Sequence, residues 1–387
     1  MHRLPMAIPP EIEALRLDVP VGVFDENFRR ACERLDGYVG ALALELAAIL
    51  ELPVGEPLQL DALFASRGWN ERGRLAVAWL LETLELYGLA ERAAERWRFA
   101  GGRSEVASAA LREEAERAMP AARPAYEVLA LCAGALPAVL RGELRGEDAL
   151  FGPTTLGLWF EYFSNTNPHY GPSNAITGVA VARAARSGCS VLEFGGGGGS
   201  AAQAVLRALA EADKAPARYE FTELQPAFLR RGARAVQQAL PAGCEFYSRR
   251  FDINLDPAGQ GLEGGRFDLA FGVNTLHLAH DLLATLANLR GLLRPGGALI
   301  VGELLRPGPD AAVHLELPFT LLEAYSNTPL LPGIRPRPGF MSARVWVRAL
   351  EVAGFSEITV LPAQVERCAE IYPGFYSGAL TARTSPL

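Results

Sequence analysis

Lysine is almost missing from this chain: Lys214 is the only one, and arginine supplies the rest of the 37 basic side chains. Set against 44 acidic residues, they leave a net charge of −7. Such a balance offers no basic face to neutralise phosphates, which argues against a nucleic-acid partner. Cysteine is scarce too. Cys32, Cys132, Cys189, Cys244 and Cys368 stand far apart, odd in number and without a CxxC pair. They form neither a disulfide framework nor a zinc site, and they suit a reducing, cytoplasmic compartment. The few histidines form no cluster with acids at metal-ligand spacing, so no metal is expected. The longest apolar run, Val128 to Leu140, is too short to span a bilayer and is broken by Gly134 and Pro137. MHRLPMAIPP at the N-terminus lacks the apolar stretch and cleavage site of a secretory signal. Internal repeats and low-complexity tails are absent as well. What remains is a globular chain of 387 residues, long enough for two domains.

The first 150 residues read as mostly helix, and 151–387 as a second domain. FRRACERLDGYVGALALELAAILEL carries apolar residues at helical spacing until Gly55-Glu56-Pro57 interrupts it. LQLDALFASRGW and RGRLAVAWLLETLELYGL follow as two helices around Gly68, then a short hairpin in LAERAAERWRFAGG, then a helix near SEVASAALREEAERA. Helix, turn, helix, hairpin is the outline of a winged helix. Its second helix would read a DNA groove, yet Leu75, Val77, Trp79, Leu80, Leu81 and Leu84 make it apolar over most of its surface. It is therefore expected in a core or a dimer interface, making this a lid or dimerisation domain.

From Cys189 onward, short β-rich runs alternate with helical patterns: CSVLEF, RYEFTEL, CEFYS, FDLAFGV and ALIVGEL, separated by SAAQAVLRALAEA, PAFLRRGARAVQQAL and ATLANLRGLL. That alternation predicts a parallel sheet with helices on both faces. SARVWVRALEVAGF adds a helix, and SEITVLP and FYSGALTA add strands. Between ALIVGEL and that helix, 307–338 is rich in Pro and Leu and reads as an insertion over the sheet edge, either a lid on the substrate or a dimer contact.

Glu193-Phe194-Gly195-Gly196-Gly197-Gly198-Gly199-Ser200 lies between the first strand and the first helix of this domain, where open parallel sheets bind ligands. Gly196, Gly198 and Ala201 satisfy a G-x-G-x-x-A dinucleotide pattern. The acid ahead of the glycines points elsewhere. Glu193 is a poor neighbour for a diphosphate and a good one for a sulfonium cation with a free α-amino group. Glu223 closes the second strand, where a carboxylate can take both ribose hydroxyls, and Asp252 follows the third, within reach of an adenine amino group. Leu224, Ile253 and, after the fourth strand, Asn274 are expected to bind the cofactor with them. Acids on successive strand ends fit S-adenosylmethionine (SAM) better than NAD.

VLEFGGGGG resembles the first motif of class I SAM-dependent methyltransferases, with Glu193, Gly195, Gly197 and Gly199 on its acidic-x-G-x-G-x-G positions. FDINLDPAGQG, RFDLAFGVNTLHLAHDLLATLANLRGLLRPGGALIVGE and LPAVLRGELRGEDALFGPT resemble the C-methyltransferase domains of polyketide synthases. The resemblance runs from about Leu58 to the end. It implies a Rossmann-like class I sheet whose last strand is antiparallel, here free-standing rather than fused to a synthase. The glycine run departs from the more usual G-A-G-T-G, which would loosen the loop.

His277, just past the fourth strand, is the candidate base, and Glu303 ends the next strand on the same edge. By resemblance, His277 takes the α-proton of a β-ketoacyl thioester and Glu303 supports its imidazole. His280 and Asp281, one turn on, read as solvated. Tyr162, Asn165, Asn167 and Tyr170 either position a substrate carbonyl or form a surface loop. His169 and His314 either line a pocket or serve structure. Arg141, Arg145, Arg230, Arg231, Arg335 and Arg337 are either a docking patch for an acidic carrier protein or solvated surface. A small-molecule O-methyltransferase using the same histidine, of the kind that forms a homodimer through its N-terminal region, is the alternative function. A non-catalytic partner on the same fold is a third reading, opposed by the intact glycine loop and histidine.

Overall fold

In the computed structural model, residues 13–15, 18–19, 22–308 and 311–386 are described; MHRLPMAIPP lies outside them. The chain forms two compact units. One gathers residues 1–30, 171–305 and 343–387, the other 31–170 and 306–342. The sequence suggests a single division near residue 150. The units instead part at Tyr170, because the aromatic segment after 150 packs with the helices before it.

The first unit is built on seven strands: β1 (Ser190–Glu193), β2 (Arg218–Glu223), β3 (Glu245–Arg250), β4 (Phe267–Val273), β5 (Leu293–Leu304), β6 (Ser356–Leu361) and β7 (Ser377–Arg383). Their order across the sheet is β3-β2-β1-β4-β5-β7-β6. The first five are mutually parallel, while β7 runs antiparallel to both β5 and β6. Every residue of β1 is buried, and β2 is buried after its first. Central strands covered on both faces tend to be apolar, as Val191 and Leu192 of β1 are, whereas β2 also buries Glu220, Thr222 and Glu223. Strand β3, at the edge, is largely exposed, and Arg218 lies 3.9 Å over its Tyr247 ring.

Helices α1 (Gly171–Ala184), α2 (Ser200–Glu211), α3 (Pro226–Ala239), α4 (Leu282–Leu292), α5 (Ala343–Val352) and the short α6 (Val365–Ile371) belong to this unit. Pro226 opens α3, where a missing N–H costs nothing. Asp281 caps α4 by accepting the Ala284 N–H at 3.0 Å, so it is a cap and not merely a solvated residue. Strand order reverses between β1 and β4, so the loops after these two strands flank the crevice where such sheets bind ligands.

The second unit contains the greater part of a long helix (Glu26–Ile49), helices at Leu60–Arg67 and Arg74–Leu86, and a hairpin of Ala90–Ala93 with Arg96–Phe99. Pro57–Leu58 adds a third short strand beside that hairpin. Ala76, Val77, Trp79, Leu80, Leu81 and Leu84 are buried, which leaves the Arg74–Leu86 helix no apolar-free face with which to read a groove. The Arg123–Leu140 helix follows. With the turn before it, 120–140 is long and apolar enough to cross a membrane by length and composition, and 61% of its apolar window is buried inside the protein. The shorter run 128–140 understates this helix, because its Ala- and Pro-containing first turns carry few apolar side chains.

Residues 306–342 fold with the helical unit and hold themselves there by buried ion pairs. Arg306 pairs with Glu316 with both side chains out of solvent, and Tyr325 Oη donates to Glu316 Oε1 at 2.6 Å. Arg337 pairs with Glu82 at 2.8 Å. Arg335 is fully buried, its Nη1 donating to the Pro329 carbonyl. Arg335 and Arg337 therefore do not belong to a docking patch or to a solvated surface. Their charges are spent inside.

Candidate functional site

Strand β1 ends at Glu193, and the chain turns at once through the glycines into α2. Gly195, Gly197 and Gly199 have φ of 62°, 53° and 86°, the left-handed region that side chains avoid. At Gly195 space forbids a side chain as well: a Cβ there would stand 2.4 Å from Thr275 Oγ1. Gly196 has ordinary φ, but its Cβ would stand 2.2 Å from Phe221 Cε2. At Gly196 the loop is thus held by the Phe221 ring where an alanine would not fit, and is not loosened by that glycine. At Gly197 nothing lies within 4 Å of that position, so the loop is open there.

Both outer acids of the expected set engage backbone amides. Glu223 Oε2 accepts the Gly197 N–H at 2.9 Å and Oε1 accepts the Gln225 N–H at 2.8 Å. Asp252 Oδ1 accepts the Asn254 N–H at 2.9 Å. Its backbone is gripped at both ends by Gln260, which accepts from Asp252 N at 2.8 Å and donates to Asp252 O at 2.9 Å. Leu224 and Ile253 are half-buried beside them, and the Ile253 carbonyl accepts from Thr285 Oγ1 at 3.2 Å. Asn254 Oδ1 in turn accepts the N–H of His280, an exposed residue, at 2.8 Å.

Glu193 is different, because it points into the protein. Its side chain is 1% exposed, and Oε2 accepts the Tyr219 hydroxyl at 2.7 Å. Oε1 is buried without a hydrogen bond of ordinary geometry, the Ala202 amide being a weak polar neighbour. Burial pushes the carboxyl up to about 8; the Tyr219 hydroxyl opposes this and the negative charge of Glu223 adds to it. A half-satisfied buried carboxyl beside an open glycine loop fits a ligand bearing positive charge, as the methionine end of SAM does. The fit holds on the other side also, where Glu223 and Asp252 offer acceptors for hydroxyl and amino groups.

His277 lies in a short turn, Leu276–Leu278, after β4. Its Nδ1 is 2.8 Å from Glu303 Oε2, and its backbone N–H donates to Glu303 Oε1 at 3.3 Å. Both side chains are almost completely buried. The spacing follows from the sheet. Val273 pairs with Gly302 in the parallel register, so the loop leaving β4 passes beside Glu303. Asn274 stands there with φ of 50°, its Oδ1 accepting the Leu304 N–H at 3.1 Å.

Other expected residues belong to the helical unit and serve packing. Tyr162 is 1% exposed among Trp159, Phe163 and Tyr170, and its carbonyl accepts from Asn167 Nδ2 at 2.8 Å. Asn167 Oδ1 accepts the His169 N–H, so this buried segment is no surface loop. Asn165 is half-buried in the same segment. Burial pushes His169 down to about 4, and His314 binds Asp36 through Nε2 at 2.7 Å. Tyr219, Gln260 and Thr275 carry the support of the cofactor side and were not singled out from sequence. Gln260 lies in the DPAGQG run and Thr275 in the VNTLHL run, while nothing in the sequence marks Tyr219.

Residues 192–299 match the family described as "Methyltransferase domain". The chain is 29% identical over 313 residues to polyketide synthase ThaQ of Burkholderia thailandensis, covering 74% of this chain and 14% of that protein. It is 32% identical over 219 residues to the highly reducing polyketide synthase otaA of Aspergillus carbonarius, covering 50% of this chain and 8% of that one. The chain therefore spans a small part of these relatives' length. Among solved structures, the CurJ carbon methyltransferase matches with a TM-score of 0.76 at 21% identity, covering 97% of this chain and 96% of that one. The trans-methyltransferase CalH, solved with S-adenosylhomocysteine (SAH), matches at 0.63 and 21% identity over 91% of each chain. Fold, glycine loop and matching family agree: this chain carries a SAM-dependent methyltransferase domain of the class I fold.

Proposed function

We propose that this protein methylates the α-carbon of a β-ketoacyl thioester or related acyl intermediate of polyketide-type biosynthesis, with His277 as base and Glu303 as its support. The observation that carries the proposal is the 2.8 Å contact between His277 Nδ1 and Glu303 Oε2, made out of solvent at the ends of adjacent strands. The sequence similarity to polyketide synthases supports the substrate class.

Glu193, Glu223 and Asp252 would hold the cofactor, with the glycine loop beneath it. When bound, SAM supplies an electrophilic methyl group and leaves as SAH. Glu303 fixes the imidazole with its proton on Nδ1, so Nε2 is the nitrogen that takes the α-proton. The C–H bond breaks, its electron pair stays on the substrate as an enolate, and the carboxylate stabilises the imidazolium that results. Burial of the pair keeps water from competing for that charge.

The test uses SAM with a deuterated methyl group and a β-ketoacyl pantetheine thioester, read by mass spectrometry with fragmentation. Label on the α-carbon, lost in His277→Ala, is the expected result. Label on oxygen would move the protein to the O-methyltransferase class, and no transfer despite SAM binding would overturn the substrate class.

A further inference from the structure

We propose that Asn274 is the positioning residue of the His277–Glu303 pair rather than a cofactor ligand. The proposal rests on the reading of that pair as the base. Asn274 brackets Glu303 from both sides. Its backbone N–H donates to the carbonyl of Gly302 at 2.8 Å, and its side-chain Oδ1 accepts the N–H of Leu304 at 3.1 Å. The residue between these two anchor points is Glu303. With its flanking peptides tied to the β4 loop, the Glu303 carboxylate meets His277 twice, through the imidazole Nδ1 at 2.8 Å and the backbone N–H at 3.3 Å.

The backbone at Asn274 makes this possible. A φ of 50° is the left-handed conformation, which strains a residue with a Cβ and which asparagine bears better than most. That turn ends the β4 extension and redirects the chain so that Thr275 and His277 point to different neighbours. Thr275 Oγ1 donates to the Val273 carbonyl at 3.1 Å and fills the space beside Gly195, while His277 reaches Glu303. One strained residue thereby sets the base pair and seats the adjacent threonine on the cofactor loop. Asparagine joins both requirements, tolerance of the turn and an acceptor of the right reach.

Asn274→Gly keeps the turn and removes the acceptor; Asn274→Asp keeps both. In ¹⁵N-histidine-labelled protein with SAH bound, the wild type should show a downfield Nδ1–H resonance from His277, absent in Glu303→Gln. The expected result is loss of that resonance in Asn274→Gly and its return in Asn274→Asp. In the labelling assay, kcat for Asn274→Gly should fall roughly tenfold. SAH affinity should stay within about twofold. A retained resonance with an unchanged kcat would overturn the proposal, as would a tenfold loss of SAH affinity with the resonance intact, which would make Asn274 a cofactor ligand. Because the resonance is read without acyl substrate, a wild type that transfers no label would sink the proposed reaction and leave this assignment to stand or fall on the spectrum.

Discussion

The Tyr219 hydroxyl donates a hydrogen bond to Glu193 Oε2 at 2.7 Å, with both side chains out of solvent on neighbouring strands. Glu193 is the acid of the glycine motif, and its pairing with a tyrosine puts a protonation equilibrium in the cofactor site. Burial pushes the carboxyl up to about 8, whereas an unfolded glutamate titrates near 4.5. Between those values the folded protein holds a proton that the unfolded chain has released. Stability of the ligand-free protein should therefore fall as pH rises through this window, the direction a raised carboxyl requires. Glu193→Gln should flatten that dependence in thermal unfolding series, and SAH affinity measured by calorimetry should rise with pH toward 8 in the wild type alone. A wild-type melting curve parallel to that of Glu193→Gln at every pH would refute it.

Phe221 and Gly196 make a second coupled pair. Because a Cβ at Gly196 would stand 2.2 Å from the Phe221 ring, Gly196→Ala should destabilise the protein by about 1–3 kcal/mol, although it restores the residue more usual in the resembling motif. Phe221→Leu removes the ring and should cost stability on its own. Combined with Gly196→Ala, the two effects should be less than additive in denaturant unfolding. Strict additivity would mean that the ring does not hold the loop.

Most of the sheet was legible because its physics is local. Strands β1, β4 and the second half of β5 are buried and carry the apolar runs VL, LAF and ALIV, and the helices between them keep a helical period. His277 and Glu303 could be paired in advance, since consecutive parallel strands bring residues just beyond their ends together. Tyr219 could not, because a tyrosine within RYEFTE looks like any strand residue until its neighbour across β1 is known. Arg335 and Arg337 misled for a related reason. An arginine in a proline-rich segment reads as surface, and only the fold buries Arg335 and brings Glu82 to Arg337, as it brings Glu316 to Arg306. The Arg337–Glu82 pair joins 306–342 to the helical unit from far along the chain and leaves no local trace.

Those pairs have a measurable weight. Burial pushes the Glu316 carboxyl up, but Arg306 and Arg337 more than offset this and hold it below its ordinary value. Arg306→Met should cost about 3–5 kcal/mol, since it leaves the Glu316 charge buried with fewer partners. Tyr325→Phe, which removes one hydrogen bond to the same carboxylate, should cost about 1.5–3 kcal/mol. A carboxyl held low stabilises the fold at neutral pH and loses that contribution as pH falls through its folded value. The Arg306→Met penalty should accordingly shrink in acid. Equal penalties at pH 7 and at the acid end of the folded range would contradict this account.

Gln260 offers the sharpest separation of support from contact. It accepts from Asp252 N and donates to Asp252 O, so a single side chain replaces the strand partner that the backbone loses on leaving β3. Its Nε2 also reaches the carbonyl of Leu255 at 3.3 Å, closing the loop on itself. Gln260→Ala frees both backbone groups and lets Asp252 drift from the position in which it would receive an adenine amino group. One bidentate clamp of this kind is worth about 1–3 kcal/mol, so SAH affinity should drop roughly tenfold to a hundredfold. Gln260→Glu retains the acceptor for Asp252 N but sets a carboxylate against the Asp252 and Leu255 carbonyls, and it should be no better than alanine. Asp252→Ala removes the contact itself; added to Gln260→Ala it should weaken SAH binding little further, because both variants disable the same acceptor. A double variant whose loss equals the sum of the single losses would show that Gln260 acts on the cofactor independently of Asp252.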